Sequence, residues 1–215
     1  MTRMNTTAAR LGMTRTKFVN ANGLPATEQV TTARDLGRLA TAVVRDYPEH
    51  AQLWAMQQVR FGKLRLHTHN GILANYAGAD GMKTGFICDS GFNVVASATR
   101  EGHKLIAVVL GEPSGAERTV RAANLLEHGF NTLQWKALFT PQTLETMPIA
   151  EDAKGPMTMR QAVVSYECGT RRAVAKVQKK KGPAQAVSEK AAKQPKAPAK
   201  KAKSAQKATT STTAQ

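Results

Sequence analysis

The stretch Asp80–Gly111, DGMKTGFICDSGFNVVASATREGHKLIAVVLG, decides the fold. Its β-branched and apolar residues crowd into NVVASA and LIAVVL, a density that suits central antiparallel strands covered on at least one face. Phe92–Thr99 and Lys104–Leu110 read as two such strands, joined by the turn Arg100-Glu101-Gly102-His103, and Thr84–Ile87 reads as a third. A helix should follow, because Ser114-x-x-Glu117 makes a capping box, and it should run to about His128 before Gly129. Strands followed by a helix packed on one face of their sheet describe an α+β fold.

Upstream, Ala8, Ala9 and Leu11 before Gly12 read as the last turns of a helix closed by a glycine. Thr14–Thr27 is rich in Asn, Gly, Thr and Pro and reads as loop. A second helix is expected from about Ala33 to Asp46, capped by Thr31 or Thr32. Leu36, Leu39, Ala40, Val43 and Val44 recur along it at three and four residues, and Pro48 closes it. VRFGKLRL, centred on Gly62, suits a small hairpin, and Asn70–Gly81 reads as irregular.

Downstream the charge is concentrated. The chain has 215 residues and a formal net charge of +16, and Arg171–Gln215 holds 13 basic residues against the single acid Glu189, a net of +12 that leaves +4 for the rest. This excludes a uniformly basic nucleic-acid-binding domain and describes a globular segment with a charged appendage. Such a segment can bury roughly two-thirds of the surface its unfolded chain exposes, so its size demands neither disulfide nor metal. From Thr170 onward there is no aromatic residue and there are only three valines, too little to offset the cost of ordering the backbone, so this tail is expected to be disordered. It reads as a flexible linker or appendage. Its charge would also attract nucleic acid or another polyanion through counterion release.

Cys88 and Cys168 form no C-x-x-C pair, and their number neither proves nor excludes an oxidising compartment. Both read as buried or free thiols. His67 and His69 alternate, but two ligands make no metal site. MTRMNTTAARLGM lacks the apolar run of a signal peptide, and nowhere do 18 apolar residues run together, so neither an export signal nor a transmembrane segment is expected.

Lys83-Thr84-Gly85 opens the first strong strand, which is where the Lys-Thr-Gly element of serine β-lactamases and penicillin-binding proteins belongs. With Met4-Asn5, LGM, T-x-F-x-N-x-x-GLP, TTARDLGRLA and Asn70-Gly71, the run from about Met4 to Leu138 resembles the serine-type D-alanyl-D-alanine carboxypeptidases, peptidase family S11, the low-molecular-weight penicillin-binding proteins. The resemblance implies the antiparallel sheet with helices of the serine β-lactamase and penicillin-binding-protein fold, and no cofactor. The implied partners are a peptidoglycan stem peptide ending in D-Ala-D-Ala, cut through an acyl-serine, and β-lactams that acylate the same serine. It also implies the periplasm or cell envelope. Domains are expected at 1–140 (partial catalytic domain), 141–170 (an extension without a clear reading) and 171–215 (the basic tail).

The site residues follow from the same resemblance. A substrate carboxylate needs a fixed cation, which Lys83 supplies, and Thr84 offers it a hydroxyl. Gly85 lets a substrate backbone approach as an added strand. The amide of Phe86 helps form the oxyanion hole, and Arg118 matches, by register, a second cation for the carboxylate. The family's Ser-x-x-Lys and Ser-x-Asn boxes are absent. Ser90, Ser97, Ser114, Ser165, Ser188 and Ser211 have no lysine three residues on, no serine has Asn two residues on, and Ser204-Ala205-Gln206-Lys207 lies in the tail, after Lys-Thr-Gly and in the wrong order. The chain therefore reads as the C-terminal part of the catalytic domain, inert by itself, with a polyanion-binding protein acting through its tail as the alternative.

Overall fold

The computed structural model describes residues 1–139, 143–148, 155–165 and 168. The tail expected to be disordered lies outside the described residues. Helix α1 (Thr2–Arg10) is followed by Gly12 at φ +70°, the left-handed conformation that a glycine after a helix was expected to adopt. Side chains tie down the loop beyond it. Asn5 exchanges two hydrogen bonds with Phe18, donating to its carbonyl at 2.9 Å and accepting from its amide at 2.8 Å. Buried Asp35 accepts from the Arg15 amide at 2.9 Å and from the Thr16 hydroxyl at 2.7 Å.

Helix α2 (Ala33–Asp46) begins where the Thr32 hydroxyl accepts the Asp35 amide, which settles the cap on Thr32. Pro48 then starts a 3₁₀ turn that leads into α3 (Ala51–Trp54). Strands β1 (Gln58–Phe61) and β2 (Leu64–His67) pair antiparallel across Gly62-Lys63, the hairpin that VRFGKLRL calls for.

The stretch expected to be irregular up to Gly81 holds a short helix, α4 (Ile72–Asn75), and the start of a strand. Four helical residues are too few to display a period. Ile72 and Leu73 are buried, so tertiary packing rather than propensity keeps the turn helical.

Strands β3 (Ala79–Ile87), β4 (Gly91–Arg100) and β5 (His103–Glu112) form an antiparallel sheet in that order. β3 starts well before Thr84 because a side chain holds a stretch that propensity would not. The Asp80 carboxylate accepts from Ser97 Oγ at 2.5 Å, from Thr99 Oγ1 at 2.6 Å and from Lys104 Nζ, which fastens the head of β3 across β4 to β5.

Helix α5 (Gly115–Phe139) does not stop before Gly129. A Cβ at that position would come within 2.7 Å of Leu105 Cδ1, so this glycine serves close packing of helix on strand and not termination. Val94, Ala96 and Ala98 of β4 and Ala107 and Val109 of β5 meet Ala122 and Leu126 of α5, and the run of alanines brings the helix close to the sheet. Among the described residues, no helix is long and apolar enough to cross a membrane.

Two stretches of the 141–170 extension pack on this framework. Arg34 of α2 donates to the carbonyls of Leu144 at 3.0 Å, Met147 at 2.6 Å and Pro148 at 3.1 Å. Further on, the Met159 amide donates to the Asp89 carbonyl at 2.7 Å, Val163 is fully buried, and the Val164 amide donates to the Pro113 carbonyl at 2.9 Å. The cysteines are not free thiols. Cys88 and Cys168 form a disulfide, and their sequence separation of 80 matches no spacing rule that could have paired them.

Candidate functional site

Among the described residues β3 is an edge strand whose only partner in the sheet is β4, so one row of its backbone amides and carbonyls faces away from the ladder. Lys83 pairs with Val95, Thr84 with Val94, Gly85 with Asn93 and Phe86 with Phe92. Alternation sends the Lys83 and Thr84 side chains to opposite sides of the sheet, so a ligand lying along the edge can meet both.

Lys83 is exposed, and its ammonium turns back to its own strand, donating to the Thr84 carbonyl. Gly85 is exposed too, and a Cβ there would meet nothing within 4 Å, so the edge opposite the motif glycine is open space. On the α2 side, Leu36, Leu39, Val43, Trp54, Met82 and Leu110 line an apolar cleft of about 480 Å³ that reaches Lys83, Thr84 and Gly85. The amphipathic stripe read along α2 is therefore only half buried at Leu36, Leu39 and Val43, because it walls a cleft instead of closing on the sheet. Beyond Gly85 a second cleft, of about 700 Å³, runs past Phe86 and Ile87 to Pro156, Met157 and Met159.

Arg118 takes a different position from Lys83. It is 5% exposed, donates to the His69 carbonyl at 2.6 Å, and reaches the Asn93 carbonyl at 3.5 Å. Its guanidinium also lies 5.9 Å from the centre of the Phe92 ring, and Phe92 stacks on Phe86 at 4.2 Å. Burial pulls this guanidinium below its ordinary pKa, yet an arginine remains charged. The cation thus backs the strand segment Gly85–Phe86 through the two β4 residues that pair with it. The Ser114 hydroxyl caps α5 by accepting the Glu117 amide at 3.1 Å, which sets the turn that carries Arg118.

Reading by motif passed over Asp80. Burial raises its carboxyl pKa, but hydrogen bonds from Lys104, Ser97 and Thr99 more than offset this, and the net displacement is downward. Hydroxyls at two alternate positions following the apolar run Val94–Ala96, Ser97 and Thr99, were the available signal that a half-buried acceptor faces them. His67 and His69 stay exposed, and among the described residues no group of three His, Cys, Asp or Glu side chains gathers as a metal site would require.

Comparison with known proteins gives concordant results. The family model described as D-alanyl-D-alanine carboxypeptidase matches residues 1–114, more than half of the chain. D-alanyl-D-alanine carboxypeptidase DacC of Escherichia coli K12 is 39% identical over 128 residues, which cover 59% of this chain and 32% of that protein. DacA of Haemophilus influenzae is 35% identical over 129 residues, 59% of this chain and 33% of that protein. Among solved structures, penicillin-binding protein 5 from Haemophilus influenzae superposes with a TM-score of 0.58 at 34% identity, over 60% of this chain and 38% of that one. Penicillin-binding protein D2 from Listeria monocytogenes, in its cefotaxime-bound form, gives 0.56 at 32% identity, over 60% of this chain and 54% of that one. The chain spans about a third of the length of these curated relatives.

Proposed function

The chain belongs to the D-alanyl-D-alanine carboxypeptidases of peptidase family S11, and from that premise we propose that it forms the substrate-carboxylate wall of a cell-wall-remodelling serine hydrolase. The observation that carries this reading is the placement of Lys83-Thr84-Gly85 on the open edge of β3, with nothing within 4 Å of the Gly85 Cβ position. A stem peptide ending in D-Ala-D-Ala would add along this edge as an antiparallel strand. Its terminal carboxylate would draw Lys83 off the Thr84 carbonyl into a charge-assisted pair, with the Thr84 hydroxyl as second donor. The Phe86 amide would face the carbonyl under attack as an oxyanion donor. Arg118 supplies a second positive charge from behind β4, where its low exposure keeps solvent from screening it.

The chain alone does not hydrolyse this substrate. The family's chemistry needs a serine next to an amine, and the serines beside the sheet are engaged otherwise. Ser97 is buried on Asp80, Ser114 caps α5, and Ser90 bonds Asn93 Nδ2 at 2.9 Å. The Cys88–Cys168 disulfide supports action in an oxidising compartment, in keeping with the envelope location of the family.

Two measurements test the proposal. Labelling with a fluorescent penicillin, followed by a denaturing gel, should give no covalent adduct, and an adduct mapped to one peptide would identify a nucleophile and overturn the inert reading. Titrating an N-acetylated peptide ending in D-Ala-D-Ala should shift the backbone resonances of residues 83–86, and the shifts should vanish in Lys83→Ala. Equal shifts in both chains would remove the carboxylate wall.

A further inference from the structure

The β1–β2 ribbon stands apart from the substrate edge and takes no part in the reading above. All eight of its residues are exposed. Its base is anchored, since the Thr68 amide donates to the Gln57 carbonyl at 2.8 Å and Gln57 Nε2 donates to the Leu73 carbonyl at 3.1 Å. The register pairs Val59 with Leu66 and Phe61 with Leu64, and paired residues share a face. One side of the ribbon is therefore entirely apolar, ending in Phe61 and Leu64 on either side of the turn, and Phe61 is 80% exposed. The other side pairs Arg60 with Arg65 and Gln58 with His67, and Lys63 sits in the turn itself. No carboxylate occurs in the sequence from Ala51 to Ala79.

An apolar face backed by Arg60 and Arg65 on the reverse side, with Lys63 in the turn and no acid near it in sequence, suits the boundary of an anionic lipid surface, where side chains such as Phe and Leu enter the acyl region and Arg and Lys remain among the headgroups. A second copy of the chain fits poorly. Four apolar residues are far short of the roughly 800 Å² per partner of a stable interface. Nucleic acid would use the cations but leave Val59, Leu64 and Leu66 without a role. We propose that the β1–β2 ribbon docks the protein on an anionic lipid bilayer, inserting Phe61 and Leu64 while Arg60, Lys63 and Arg65 contact the headgroups.

The test uses the full chain, whose basic tail also attracts anionic vesicles, so the readout must be local to the ribbon. Phe61→Trp, with the unsubstituted chain as blank for the native tryptophans, is mixed with vesicles of phosphatidylglycerol and phosphatidylethanolamine. The expected result is a blue shift of the added emission and its quenching by brominated acyl chains, with neither seen on phosphatidylcholine alone. In sedimentation with the anionic vesicles, Phe61→Ser with Leu64→Ser should lower partitioning by about tenfold or more, as the loss of two inserted apolar side chains requires. Emission that stays red on the vesicles, or partitioning unchanged in the double variant, would mean that the tail alone binds and would overturn the proposal. Emission already blue-shifted in buffer would mean that protein covers the face and would overturn it equally.

Discussion

Arg160 grips Asp89 with both prongs of its guanidinium, Nε to Oδ1 at 2.8 Å and the second terminal nitrogen to Oδ2 at 2.9 Å, one residue from the cysteine that anchors the same segment by disulfide. The ion pair, the Met159–Asp89 backbone bond and the covalent link all converge on the turn between β3 and β4. The 155–165 segment is thereby fixed beside the end of the open β3 edge, where Met157 and Met159 help wall the second cleft.

Reduction of the disulfide, or Cys168→Ser, should lower stability by about 3–5 kcal/mol, the range expected for a loop of this size in the unfolded chain. Urea unfolding with and without reductant measures it. Coincident midpoints would mean that the bond is not formed in the native protein.

The Asp89 contact should be sensitive to acid. The hydrogen bond from Arg160 holds the Asp89 carboxyl below its ordinary pKa, so its contribution is complete above the unfolded-state value and is lost as pH falls through the lower, folded one. The hydrogen-exchange protection factor of the Met159 amide should fall below the ordinary carboxylate range, and Asp89→Asn should abolish that pH dependence of protection.

Asp80→Asn should destabilise the sheet at neutral pH by about 1–3 kcal/mol, because three donors lose their charged acceptor. Since the Asp80 pKa is lowered in the folded state, the difference between variant and unsubstituted chain should shrink as pH falls through it. Thermal melts at neutral and acid pH give both quantities, and a gap that widens in acid would contradict the assignment.

Gly85→Ala separates site from fold. Nothing lies near the added methyl and the backbone is not left-handed, so stability should change by less than about 0.5 kcal/mol. Binding of the D-Ala-D-Ala peptide should weaken at least several-fold. A large loss of stability would mean that the edge is not open as described.

Leu126→Ala should cost about 2–5 kcal/mol, since the side chain is buried between α5 and the alanine-rich face of the sheet. Calorimetry would register this as a clear drop in Tm, whereas Leu125→Ala, an exposed neighbour, should barely move it.

The elements most legible in the sequence were those whose cause is local. Thr32 caps α2 because a hydroxyl stands three residues before an amide that needs it, and β4 and β5 follow from apolar density over short distances. Lys83-Thr84-Gly85 could be placed on a strand for the same reason. The illegible parts depend on distant partners. Asp80 extends β3 through residues on two other strands, Gly129 continues α5 because Leu105 stands opposite it, and Cys88 finds Cys168 across 80 positions. Arg118 was expected as a second cation only through the family resemblance, and its burial on the carbonyls of His69 and Asn93 depends on how the helix seats on the sheet.

The open edge of β3 also bears on the solubility of the protein. The row of amides and carbonyls that would accept a peptide will as readily template a strand from another copy, and what discourages this is an exposed charged side chain in the middle of the row. Lys83, proposed above to bind the substrate carboxylate, thus also serves as a gatekeeper against strand pairing between copies. Replacing it would be expected to seed oligomers in proportion to protein concentration.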